Sequence, residues 1–131
     1  MKYLLDTVVF LWSTGEPARL NEEALRILSS AVSELYLSAA SSWEIAIKFG
    51  IRGLRLPMTP EEYVPSRMQR LGIRALDISH RHALAAGRLP GHHRDPFDRM
   101  LIAQALDEDM VLMTADRVFE KYDAPIFWCA N

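Results

Sequence analysis

The sequence predicts an α/β domain wound around a parallel β-sheet, and three features of it carry that expectation. Short β-prone runs alternate with longer stretches of helical pattern, as βαβ crossovers require. The helical stretches open on recognisable capping residues. Acidic side chains recur just after the β-prone runs, at the edge where an open parallel sheet places its ligands.

Taken in order, strands are expected at residues 2–5, 35–38, 73–76, 110–113 and 125–128. Leu20-Asn21-Glu22-Glu23 opens a helix with Asn21 as its N-cap. A helix beginning near Ser41 follows the second strand and stops at Gly50 and Gly53. Thr59-Pro60-Glu61-Glu62 starts the next, with proline at the first helical position and an acid three residues after the cap. Ser79 caps a helix reaching Gly87, and the segment from Arg88 to Arg94 is a loop rich in glycine, proline and histidine. Asp95 closes that loop and caps a strong helix running to about Asp107.

The composition suits one soluble globular domain spanning residues 1–131, with half the residues apolar and a quarter charged. The longest apolar run, Val8 to Trp12, is far short of the roughly 20 residues that cross a bilayer. No membrane association is expected, and Asp6 interrupts the N-terminal apolar stretch before a signal sequence can form. The single cysteine, Cys129, has no internal partner for a disulfide, which fits a reducing cytoplasm; it reads as a packing residue. Net charge is −2. With four of the acids committed to a cation the balance turns slightly positive, and arginines crowd the second half of the chain.

Four acids fall at one edge of the expected sheet. Asp6 follows the first strand directly, Glu44 lies in the first turn of the helix after the second, and Asp116 follows the fourth. Asp98 opens the helix that leads into the fourth strand. That helix runs antiparallel to the strand, and about 13 residues at roughly 1.5 Å each traverse the sheet, so its N-terminus returns to the same edge. Each acid also has a structural reading. Ser41-Ser42-Trp43-Glu44 has capping-box spacing, Glu44 stands one turn before Lys48, Asp98 complements a helix dipole, and Asp116 caps a short helix toward Tyr122. Asp6 is harder to explain so, because apolar residues flank it on both sides and an unpaired carboxylate there is costly. Carboxylates that converge repel one another unless protonated or neutralised by a cation. An all-oxygen donor set suits Mg²⁺ or Mn²⁺, which can activate water against a phosphodiester. Zinc is disfavoured: His92 and His93 are adjacent rather than one helical turn apart, and Cys129 stands alone.

Four blocks, Tyr3-Leu4-Leu5-Asp6-Thr7, Ser41-Ser42-Trp43-Glu44-Ile45-Ala46-Ile47-Lys48, His93-Arg94-Asp95-Pro96-Phe97-Asp98-Arg99-Met100-Leu101-Ile102-Ala103-Gln104-Ala105 and Leu112-Met113-Thr114-Ala115-Asp116, resemble the PIN-domain family, and within it the VapC-type toxins of toxin–antitoxin pairs. The resemblance implies a three-layer α/β/α fold with a five-stranded parallel sheet ordered 3-2-1-4-5. It implies Mg²⁺- or Mn²⁺-dependent endoribonuclease activity with Asp6, Glu44, Asp98 and Asp116 as the acidic set, and supporting roles for Thr7 and Thr114. It further implies an RNA substrate, a cognate antitoxin protein and a homodimer. The antitoxin is expected on an apolar groove lined by the helices at residues 20–32 and 41–49. Dimerisation is expected through Tyr63, Val64, Met68, Leu71, Ala83, Leu84 and Ala86. Arg94, Arg99, His92 and His93 are candidates for phosphate contact.

Three other functions share parts of this pattern. A phospho-receiver module would use Asp77 as acceptor and Thr114 as switch, but needs a second acid beside Asp6, where Thr7 stands, and a lysine after the last strand. An aspartyl-phosphate phosphatase would want an acid where Val8 stands. A nuclease of the same fold serving RNA maturation would share the acids.

Overall fold

A computed structural model describes residues 1–51, 53–92 and 94–131. Five parallel strands form one sheet: β1 (Lys2–Leu5), β2 (Glu34–Ser38), β3 (Ile73–Leu76), β4 (Val111–Thr114) and β5 (Ile126–Trp128), in the order β3-β2-β1-β4-β5. This is the order the resemblance implies. It makes β1 the central strand, with Leu5 level with Met113 of β4 and Leu4 level with Tyr36 of β2.

Alternation along the strands splits the core into two layers, one on each face of the sheet. Leu5, Leu35, Leu37 and Met113 point to one face, and Leu4 and Leu112 to the other. The first face is covered by α1 (Thr7–Gly15), α2 (Glu22–Ser29), α3 (Ala39–Ile51) and α4 (Pro60–Leu71), through Val9, Phe10, Ala24, Ile45, Tyr63 and Val64. The second is covered by α6 (Pro96–Asp107) through Leu101, Ile102 and Ala105, with α5 (His80–Arg88) packed against α6.

The caps mostly follow the sequence. The Asn21 side chain accepts from the Ala24 amide at 2.8 Å, and Asp95 accepts from the Phe97 amide at 2.9 Å. Ser79 accepts from the His82 amide at 3.1 Å, while the Ser79 amide donates to His82 Nδ1 at 3.0 Å. Thr59 precedes α4 but its hydroxyl bonds the Glu62 carboxylate, not a backbone amide. Two departures matter for the site. The run from Val8 to Trp12, given no element by the sequence pattern, is helix α1: it is apolar nearly all round because it packs on the sheet, so no periodicity marks it. Helix α3 starts at Ala39, two residues before Ser41, because the Ser38 hydroxyl accepts the Ala40 amide and opens the helix. Glu44 therefore stands in the second turn, and Ser41 is a buried helical residue rather than a cap.

The expected dimer residues divide. Tyr63, Val64 and Ala86 are buried in the chain's own core, whereas Leu84 is exposed. Among the described residues no helix is long and apolar enough to cross a membrane.

Candidate active site

Each acid reaches the carboxyl edge of the sheet on a different element. Asp6 ends β1 and precedes α1, and its main-chain amide donates to Met113 of the neighbouring strand at 2.9 Å. Asp98 is the third residue of α6, whose N-terminus the Asp95 cap fixes. Glu44 projects from α3. Asp116 lies just past β4 and caps the 3₁₀ turn Arg117–Lys121, accepting from the Val118 amide at 3.0 Å. All four line one cavity of about 390 Å³, together with Thr7, Asp95, Ala115 and an apolar wall from Val8, Leu11, Trp12, Ile45 and Leu54. Four elements far apart in sequence thus deliver carboxylates to one space.

The site is braced by hydroxyls. Thr114, fully buried at the end of β4, donates to Asp6 Oδ2 at 2.8 Å and accepts the Asp116 amide at 3.0 Å, tying two of the acids to one strand end. The Thr7 hydroxyl donates to Ser41 at 2.9 Å and locks α1 to α3 beneath the cavity. Glu44 is 5% exposed; its Oε2 receives Lys48 Nζ at 2.7 Å, while its Oε1 is buried without a hydrogen-bond partner. The capping-box reading of Glu44 fails, but its pairing with Lys48 holds.

Burial, with charge crowding behind it, shifts two of the acids. Burial lifts Asp6 from 3.8 to about 6, against the pull of hydrogen bonds from Thr114 and the Thr7 amide. Asp98 is lifted to about 8, by burial first and then by the neighbouring charges of Asp6, Asp95, Glu44 and Asp116. The metal-free site therefore favours the protonated form of Asp98. A cation placed among these oxygens would reverse both shifts.

The remaining candidates scatter. Arg94 lines a second cavity, between α3 and α6, that shares Glu44, Lys48 and Asp95 with the first. Arg99 acts as a strut: its guanidinium donates to the carbonyls of Ala86, Leu89 and Pro90 at 2.8–2.9 Å, holding the end of α5 and the following loop. His92 packs edge-on against Tyr122, with ring centroids 5.2 Å apart, and lines neither cavity. His93 lies outside the described residues. Asp77, the acceptor a receiver module would need, is exposed beyond β3 and outside the cavity. The apolar wall comes from α1, α3 and Leu54 in the segment after α3; no residue from 20 to 32 contributes to it.

One constellation escaped the sequence reading. His82, Asp107 and Glu108 bring donor atoms within 4.8 Å of one another, the one such group among the described residues. Its signal, His82 on α5 against the C-terminal acids of α6, is a tertiary pairing with no local motif. His82 Nδ1 accepts the Ser79 amide, so the ring proton sits on Nε2 and faces Glu108 at 2.8 Å and Asp107 at 3.2 Å. An imidazole so committed braces α5 against α6 and offers no lone pair to a metal. Cys129 is buried in the first core layer, and burial pushes its thiol up to about 12, which makes it an inert packing group.

Comparison with known proteins agrees with this fold. Ribonuclease VapC22 of Mycobacterium tuberculosis is 31% identical over 125 residues, covering 93% of this chain and 92% of that protein. Ribonuclease VapC16 of the same organism is 40% identical over 60 residues, a stretch that spans 46% of this chain and only 43% of that relative's length. In fold, the chain superposes on VapBC2 from Rickettsia felis, solved bound to a DNA fragment from its promoter, with a TM-score of 0.75 at 15% identity over 98% of this chain and 99% of that one. The model of the PIN domain matches residues 3–125. Matched by that family along nearly its whole length, and carrying four acids at the sheet edge, the chain belongs to the PIN domain family.

Proposed function

We propose that this protein is a divalent-metal-dependent endoribonuclease that acts as the toxin of a toxin–antitoxin pair. The observation that carries the reading is the convergence of Asp6, Glu44, Asp98 and Asp116 on one cavity, with Asp6 and Asp98 held well above the usual carboxylate range. Relatives named as VapC ribonucleases support the substrate class, and fold neighbours solved as VapBC complexes support a protein partner.

The donor set fits Mg²⁺ or Mn²⁺. It is all oxygen, strongly anionic, and includes the buried Oε1 of Glu44, which has no other partner. Asp6 and Asp98 would hold the ion, with Asp116 and Glu44 completing its surroundings. When bound, such an ion supplies an activated water and neutralises charge that develops on the phosphate. The chain's own residues do the rest. Thr114 fixes the Asp6 carboxylate and, through the Asp116 amide, the approach of the third acid. Lys48 occupies one oxygen of Glu44 and leaves the other to orient or deprotonate the attacking water. In-line attack by water would leave 3′-hydroxyl and 5′-phosphate ends and would not need the ribose 2′-hydroxyl.

An antitoxin would lie along the apolar wall of Val8, Leu11, Trp12, Ile45 and Leu54, and a basic side chain at the acids would compete with the metal. The test is purified protein with single-stranded RNA. Cleavage is expected with Mg²⁺ or Mn²⁺, not with EDTA, and not by Asp6→Asn or Asp98→Asn. Expressed alone the wild type should arrest growth, and co-expression with the product of its genomic neighbour should relieve the arrest. RNA left intact under every metal condition would overturn the nuclease reading. Harmless expression of active enzyme would overturn the toxin role alone.

A further inference from the structure

A third, smaller cavity opens at the far end of α1. It measures about 120 Å³ and is lined by Ser13, Thr14, Arg67, Arg70 and Leu71. Small-molecule sites run to roughly 300–1,000 Å³, so this one has room for a single small group and not for a nucleoside. Its chemistry is cationic. Among the described residues neither guanidinium has a carboxylate partner, although most acids near other arginines are paired: Glu16 with Arg19, Glu34 with Arg74, Asp107 with Arg81 and Glu120 with Arg117.

Arg67 is held ready. It stacks over the Tyr63 ring at 4.5 Å, and its Nη1 donates to the Ser66 hydroxyl at 3.1 Å. Tyr63 is fixed in turn by donating to the Thr14 hydroxyl at 2.6 Å. The Nε of Arg67 is nevertheless buried with no acceptor, an unfavourable position for a charged donor. The Ser13 and Thr14 hydroxyls spend their hydrogens on the Phe10 and Leu11 carbonyls, so the donors here are the two arginines, and a positioned arginine without a carboxylate partner beside a second one is matched by a tetrahedral oxyanion.

Position says which oxyanion. Leu11 and Trp12 of α1 line the acidic cavity, and the next two residues of the same helix, Ser13 and Thr14, line this one. From Thr7 at the acidic end to Thr14, seven residues at roughly 1.5 Å each put this pocket about 10 Å along the helix from the acids. We propose that this pocket binds a backbone phosphate of single-stranded RNA one short step from the scissile bond, so that α1 carries the strand between an acidic cleavage site and a basic anchor. The proposal rests on the ribonuclease reading.

Two measurements test it, both in EDTA, where nothing is cleaved and the nuclease reading is not at stake. Inorganic phosphate is titrated at low salt while amide shifts of α1 and α4 are followed. A labelled oligoribonucleotide is then titrated by fluorescence anisotropy. Arg70→Gln is the main variant because Arg70 is exposed and carries no packing role; Arg67→Gln is the second. Each should weaken both ligands about tenfold, the scale of one charge-assisted contact, and should reduce the salt dependence of RNA binding by about one phosphate contact. Phosphate shifts that are the same in wild type and Arg70→Gln overturn the pocket. Weakened phosphate with unchanged RNA binding makes it a site for a free anion and overturns the anchor. Failure of the nuclease reading would appear elsewhere, as intact RNA in the presence of Mg²⁺ or Mn²⁺.

Discussion

Replacing Asp6 by asparagine should stabilise the metal-free protein, and by an amount that grows with pH. Asp6 is 5% exposed and its carboxyl is pushed from 3.8 to about 6, with burial as the first cause. A folded pKa above the unfolded value means that the folded chain binds the proton more tightly. The stability associated with that proton is complete below pH 3.8 and is lost as pH rises through about 6. At about 1.4 kcal/mol per pH unit the loss reaches about 3 kcal/mol at pH 8 and only about 1 kcal/mol at pH 4.5. Asparagine keeps the shape and an oxygen that can accept from Thr114, but carries no charge to desolvate. For a domain of this size the gain corresponds to about 10 °C in melting temperature at pH 8 and about 3–4 °C at pH 4.5. The substitution also removes a repulsion that helps hold Asp98 at about 8, so some of the gain accumulates above pH 6. Melting curves of both proteins in EDTA across that pH range measure it. A gain that is independent of pH, or a loss of stability at pH 8, would refute the claim that the carboxylate is held charged against its surroundings.

Millimolar Mg²⁺ or Mn²⁺ should raise the melting temperature of the wild type at pH 7.5, and Asp98→Asn should lose most of that response, as calorimetry with the same ions would also register. Thr114→Val removes the hydroxyl that joins Asp6 to Asp116; it should slow RNA cleavage at least about tenfold while the protein still folds, measured as kcat against a circular dichroism control. Cys129 should resist thiol reagents in the native protein and react at once in denaturant, and rapid native labelling would contradict its burial. Asp109 holds a left-handed backbone, φ 57°, at the turn from α6 into β4; Asp109→Gly should leave the protein as stable or raise stability by about 0.5–1 kcal/mol in urea titration.

The strands and most caps were legible because their causes are local. Asn21, Ser79 and Asp95 satisfy amides two or three residues away, and such spacings survive in the sequence whatever the tertiary context. The gathering of the acids was legible for a topological reason: once the sheet is parallel, residues that follow strands and residues that begin the returning helices share an edge. What was hidden depends on packing. Helix α1 is apolar on nearly every side and showed no period, yet it supplies Val8, Leu11 and Trp12 to the cavity wall. Arg99, in the first turn of α6, looked like a cation available for phosphate because nothing local says that three carbonyls will surround it. His82 paired across helices, and no spacing announces such a pair.

Glu44 shows why a local explanation and a functional one need not compete. Its pairing with Lys48 one turn along the helix has an ordinary structural rationale, and the two side chains meet at 2.7 Å. An exposed pair of this spacing contributes only a few tenths of a kcal/mol. Glu44, however, is nearly buried, and Lys48 satisfies one oxygen while the other is left without a partner. A residue selected only to pair with Lys48 would do so as well from an exposed position, where water would satisfy the second oxygen at no cost. Burial of the carboxylate next to Asp6, Asp98 and Asp116 raises the free energy of the metal-free fold, as the raised pKa values of Asp6 and Asp98 record. The same burial makes each oxygen a stronger ligand for whatever cation enters. A divalent metal and an antitoxin's basic side chain would draw on that one reservoir of repulsion, so by linkage each must weaken the binding of the other.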